Sequence, residues 1–141
     1  MPSPNTFPLH ILRMGLGITF LWIGVLILRA PEAWGIGYIQ PWALKLLPLP
    51  IKEMMISAAL LDILAGVFLL TNIFTWLGAF IGATHLVSIL IVSGITEITV
   101  RDIGLLAACV ALACISFPSS VRAILEKFVH VPQKVNRANN T

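Results

Sequence analysis

Four long apolar runs dominate this chain, and two of them are interrupted near the middle by an ionisable residue. Asp62 interrupts MMISAALLDILAGVFLL, and His85 interrupts IFTWLGAFIGATHLVSILIV. Runs of this length approach the ~20 residues that a helix needs to cross the hydrocarbon of a bilayer. An ionisable group at that depth costs a few kcal/mol, so it is expected to face a bundle interior and to have a partner.

The composition supports a membrane setting. Hydrophobic residues make up 58% of the 141 and charged residues only 11%, whereas soluble domains carry about 25% charged residues. Mean hydropathy is +0.97 and the sequence pI about 9.2. The net charge of +3 is not gathered into a basic stripe with interleaved aromatics. The lysines and arginines flank the apolar runs as surface anchors do, so no nucleic-acid partner is expected.

The spans are expected over residues 9–28, 53–70, 73–92 and 100–117. Backbone polar groups in lipid must be satisfied internally, and no strand alternation is present, so each span reads as a helix. Thr6 with Pro8, and Pro50, mark helix starts, while Pro118 marks a stop. Thr99 with Asp102 resembles a capping box, and Arg101 beside them suggests an ion pair at that surface. The fold class expected is an all-α membrane protein, a four-transmembrane-helix bundle with an interfacial first loop. The expected layout is a tail over 1–8, the bundle over 9–117, an amphipathic helix within 118–131 and a polar tail over 132–141.

The connections are unequal. Thr71 and Asn72 alone separate the second span from the third, which makes them antiparallel neighbours. The first loop, residues 29–52, holds Pro31, Pro41, Pro48 and Pro50, with Trp34, Tyr38 and Trp42 four residues apart. Trp and Tyr favour the headgroup level, so short helical pieces along the membrane are expected there. After Pro118, Val121, Ile124, Leu125, Phe128 and Val129 fall on one helical face. That is the pattern of an interfacial amphipathic helix. The balance of Lys and Arg gives a slight excess on the side of the termini, which favours both termini cytoplasmic in a cell (inner) membrane.

Small residues mark the faces where helices can approach closely in lipid. Arg13, Gly17 and Gly24 share a stripe on the first span. Ala58, Asp62, Ala65 and Gly66 share one on the second, and Gly78, Gly82 and His85, with Ser88 beside them, on the third. The fourth offers Gly104, Ala107, Ala108 and Ala111. Counted from the Thr71–Asn72 turn at 1.5 Å per residue, Asp62 and His85 lie at roughly 14 and 20 Å. Arg13 enters from the same side, so an Arg13–Asp62–His85 cluster is the expected polar centre. A carboxylate beside an imidazole can relay protons or hold a quinone carbonyl, and an arginine would keep the carboxylate ionised. The plainer alternative is that these groups only tie helices together.

Several chemistries lack their residues. Cys109 and Cys114 are five residues apart, which is neither a C-x-x-C pair nor a zinc spacing, and they read as packing residues. His10, His85 and His130 fall at different depths, so no haem ligand set and no metal site is expected. No phosphate-binding loop is present.

Three stretches together resemble the DoxX-like family of small four-helix membrane proteins. They are RMGLGITFLWIGVLILRAPEAWGIGYIQPW, ALLDILAGVFLLTNIFTWLGAFIG and VRDIGLLAACVALA. In the second, Asp62 stands where many family members have Glu. The resemblance covers about residues 9–117 and implies a four-helix bundle associated with quinol or thiosulfate oxidation and redox-linked membrane complexes. It transfers no catalytic residue. The related vitamin K epoxide reductase-like bundles use a C-x-x-C pair, which this chain lacks. The leading expectation is a quinone-associated component of a membrane (respiratory) complex, with the lipid bilayer and complex subunits or a second copy as partners. The alternatives are an accessory scaffold without catalysis and a small-solute carrier.

Overall fold

The computed structural model describes residues 7–46 and 49–118. These form six helices: α1 (Phe7–Arg29), α2 (Pro31–Tyr38), α3 (Pro41–Leu46), α4 (Ile51–Thr71), α5 (Thr75–Ser93) and α6 (Val100–Ser116). The described residues contain no strand. The expected amphipathic helix around residues 121–129 and the tail over 132–141 lie outside them, as does Thr6.

α1, α4 and α5 are long and apolar enough to cross a membrane. α6 is also apolar but has 17 residues. Large apolar side chains point outward all round the bundle, among them Trp22, Ile18, Leu60, Phe80 and Ile91, each more than half exposed. A surface of this kind fits lipid, since water-soluble monomers rarely expose contiguous apolar area on such a scale.

These helices are apolar on every side, so hydrophobicity alone does not choose the buried face. Small residues do. Gly17 and Gly24 on α1, Ala59, Ala65 and Gly66 on α4, and Gly78, Ala79 and Gly82 on α5 are all buried. Without an aqueous driving force between helices, close backbone approach supplies the van der Waals contact that holds them. At Gly82 an added Cβ would lie 2.7 Å from the tip of the Phe20 ring. That glycine is what lets an α1 aromatic enter the bundle.

α6 departs from expectation. Gly104, Ala107 and Ala111 are exposed and Ala108 is half-buried, while Cys109, Leu112 and Ala113 form its buried face. Gly82 supplies the reason: it leaves room on α5 for the Cys109 sulfur, so α6 can present larger side chains inward. Cys109 belongs to the core and Cys114 is exposed; both are free thiols.

The α4–α5 turn also differs in detail. α4 runs through Thr71, and the turn is Asn72, Ile73 and Phe74. Asn72 and Phe74 both adopt left-handed backbone, with φ of 60° and 51°. Asn tolerates this conformation and commonly ends helices in it. For Phe74, compensation comes from its carbonyl, which accepts the Leu77 and Gly78 amides, and from edge-on contact of its ring with Phe68 at 6.4 Å. The turn joins antiparallel neighbours, as its shortness requires.

The first loop contains two helical pieces. Pro31 and Pro41 each start one, consistent with proline's fixed φ and missing amide at a first helical position. Gly35 of α2 packs directly on Ile51 and Met55 of α4, and Trp34 stacks on Tyr38 with ring centroids 5.1 Å apart. Between α2 and α3, the Gln40 amide donates to the Val92 carbonyl at 3.1 Å, and its side chain donates to the Ser93 carbonyl at 3.1 Å. Gln40 thus straps the first loop to the end of α5.

Candidate functional site: a buried carboxylate and imidazole at the floor of an apolar cavity

α4 carries Asp62 on the face that also carries Ala59, Ala65 and Gly66, and α5 carries His85 on the face of Gly78 and Gly82. Because small residues bring those faces together, the two polar side chains meet. His85 Nε2 lies 3.3 Å from Asp62 Oδ1, and the two residues are 8% and 2% exposed. The approach is close enough for electrostatic attraction but off the hydrogen-bond axis. His85 Nε2 and the second Asp62 oxygen, Oδ2, therefore have no hydrogen-bond partner among the described residues. Buried polar atoms are paired in the large majority of cases, so two unpaired atoms on adjacent side chains call for an explanation.

Both residues line a cavity. It has a volume of about 760 Å³ and reaches from Asp62 and His85 past Ile23, Ile27 and Met55 to Trp34. Its walls are chiefly apolar, with Thr19, Ser57, Ser88, Ser93 and Thr99 among the lining residues. The size falls within the ~300–1,000 Å³ range of small-molecule sites, and convergent polar groups in an apolar pocket are the usual composition of such sites.

The structure brings Asp62 and His85 together but places Arg13 elsewhere. Its Nη1 donates to the carbonyls of Leu69 and Leu70 at the end of α4. Those carbonyls have no partner within the helix, and a cation there also complements the helix dipole. Arg13 therefore closes the turn end of the bundle and does not hold Asp62.

Thr99 does not form the expected capping box. Its hydroxyl makes no cap hydrogen bond to α6; it donates to the Gly94 carbonyl at 2.6 Å and accepts the Thr96 amide at 2.7 Å. The α5–α6 connection is folded back on this one side chain. Asp102 and Arg101, read from the sequence as a separate surface group, line the same cavity as Asp62 and His85. Counting depth from the opposite helix ends would have indicated this. Asp62 is eleven residues from the start of α4 and His85 eight from the end of α5, about 16 and 12 Å from the end where α6 begins. Among the described residues no group of three or more His, Cys, Asp and Glu is arranged to hold a metal ion.

The chain matches no family model, no curated protein and no solved structure.

Proposed function

We propose that this protein is a small integral membrane protein that binds a neutral, quinone-type ligand at Asp62 and His85, as a redox-linked component of a membrane complex. The observation that carries this reading is that Asp62 and His85, each with a buried polar atom that has no hydrogen-bond partner among the described residues, both line a large apolar cavity. A carboxylate and an imidazolium, or their neutral forms, sum to zero charge, which favours a neutral guest over an ion. A ring carbonyl accepts a hydrogen bond and a ring hydroxyl donates one; Asp62 and His85 can answer either, depending on where the proton sits. The apolar walls suit the ring and its tail. The resemblance to the DoxX-like family points to the same ligand class.

The four-span topology belongs to this proposal. α6 would extend about 26 Å along its axis, close to the hydrocarbon thickness, and it packs antiparallel on α5. With the N-terminus cytoplasmic in an inner membrane, the cavity would open on the far side.

Purification in mild detergent followed by mass spectrometry tests the function. Co-purifying quinone is expected with the wild-type chain and should be lost in Asp62→Asn, which keeps the side-chain shape and removes the charge. An empty bundle held in a stoichiometric larger complex would overturn it in favour of an accessory scaffold. The outward row of Gly104, Ala107 and Ala111, where another helix could approach closely, is what supports that second reading.

A further inference from the structure

The cavity belongs to one half of the bundle. Its lining comes from the second half of α1, the first half of α4, the second half of α5 and the start of α6, with α2 and the connecting residues Ile39, Leu49, Ile98 and Thr99. In the other half the described interior side chains pack against one another. Below Phe20, the side chains of Leu16, Leu69, Ala79, Cys109 and Leu112 form a continuous core. Arg13 ties the helix ends together beyond it. A proton moving to or from Asp62 and His85 therefore has an open route toward one face of the bundle and a packed one toward the other.

The titratable groups along the open route are few. Besides Asp62 and His85, the described residues lining the cavity include Tyr38 from α2 and Arg101 and Asp102 from α6; α1, α4 and α5 add no other. Of these described residues, Asp102 carries the carboxylate, the side-chain type that exchanges protons in the acid-to-neutral range, unlike a guanidinium or a phenol. It is half-buried on the first turn of α6 and lines the same cavity as Asp62 and His85. Ser57, Ser93 and Thr99 line the same cavity.

We infer that Asp102 is the proton-exchange residue of the buried pair, connecting Asp62 and His85 to the membrane face that carries α2, α3 and the α5–α6 connection. In the outward direction a proton leaves the Asp62 carboxyl or the His85 imidazolium and is taken up by the Asp102 carboxylate. It then passes to water at the rim; uptake runs the same steps in reverse. No electron moves and no bond other than O–H or N–H changes. The inference rests on the membrane-embedded polar centre proposed above, and not on a quinone being its ligand.

The test is infrared difference spectroscopy on the full chain, without added ligand, after a rapid pH change. The carboxylic C=O stretch of Asp62 is identified by its loss in Asp62→Asn. In Asp102→Asn the response of that band should slow by at least about tenfold while its end point holds, and Asp102→Glu should restore the rate. An unchanged rate in Asp102→Asn would overturn the inference. So would an Asp62 band that never responds between about pH 4 and about pH 10. Should Asp102→Asn not fold, wild-type protein in uniformly oriented proteoliposomes decides: a pH step on the α2 face should move the band, and an equal response from the other face would overturn the one-sided route. Because no ligand enters the measurement, failure to find quinone in the purified protein leaves this result independent.

Discussion

Gly66 of α4 lies directly against the backbone of α1 at Leu21: a methyl group on Gly66 would sit 2.8 Å from the Leu21 amide nitrogen and 2.9 Å from the Gly17 carbonyl oxygen. Backbone cannot move aside as a side-chain tip can, so Gly66→Ala must push the two helices apart. A loss of about 1–3 kcal/mol is expected in reversible unfolding in detergent, in line with overpacking costs. Gly104 is the control. Nothing approaches its Cβ position within 4 Å, so Gly104→Ala should be neutral or stabilising through helix propensity.

Arg13 should behave as a structural residue. Arg13→Ala removes the donor that satisfies the Leu69 and Leu70 carbonyls, with an expected loss of about 1.5–3 kcal/mol for a charged hydrogen bond. Ligand retention should be unchanged. Combined with Asp62→Asn, the two stability effects should add within about 0.5 kcal/mol, because the residues share no partner. A strong coupling in the double mutant would instead place Arg13 in the Asp62 cluster.

The Asp62–His85 pair can be weighed by a double-mutant cycle. Asp62→Leu and His85→Leu each leave one polar group buried alone, whereas the double substitution leaves neither. The double mutant should therefore be more stable than the two single losses predict. The coupling should be of order 1 kcal/mol, since measured polar contacts in membrane bundles average ~0.6 kcal/mol. Zero coupling would mean that the 3.3 Å contact carries no energy.

Thr99 holds the α5–α6 connection through its hydroxyl, which contacts both Gly94 and Thr96. Thr99→Val keeps the shape and removes both interactions, so about 1–3 kcal/mol should be lost. Hydrogen exchange should rise locally at Gly94 to Thr99 before the rest of the bundle is affected. Thr99→Ser, which keeps the oxygen, should retain most of the protection.

Much of the architecture was legible because lipid imposes it. Long apolar runs had to be helices, the break after Thr71 had to be a tight turn, and Gly17, Gly24, Gly66, Gly78 and Gly82 had to mark contact faces. The same logic placed Asp62 and His85 inside, since each shares a stripe with small residues. Arg13 was misplaced for a physical reason. Its depth suited Asp62, but the unpaired carbonyls ending α4 lay closer, and a cation satisfies those without crossing the bundle.

The sequence by itself determined that this chain is helical and apolar enough for a membrane, and which two ionisable residues lie deep within it. Tertiary structure alone decided what those residues share. Beyond its first turn α6 is apolar all round, so its composition there could not say which side faces inward; the space left at Gly82 chose Cys109 and Leu112 over the row of Gly104, Ala107 and Ala111. That choice brings Asp102 onto the cavity of Asp62 and His85. A hydrophobic pattern reports burial only where some faces are polar. In a helix that is apolar on every side, the shape of its neighbours decides.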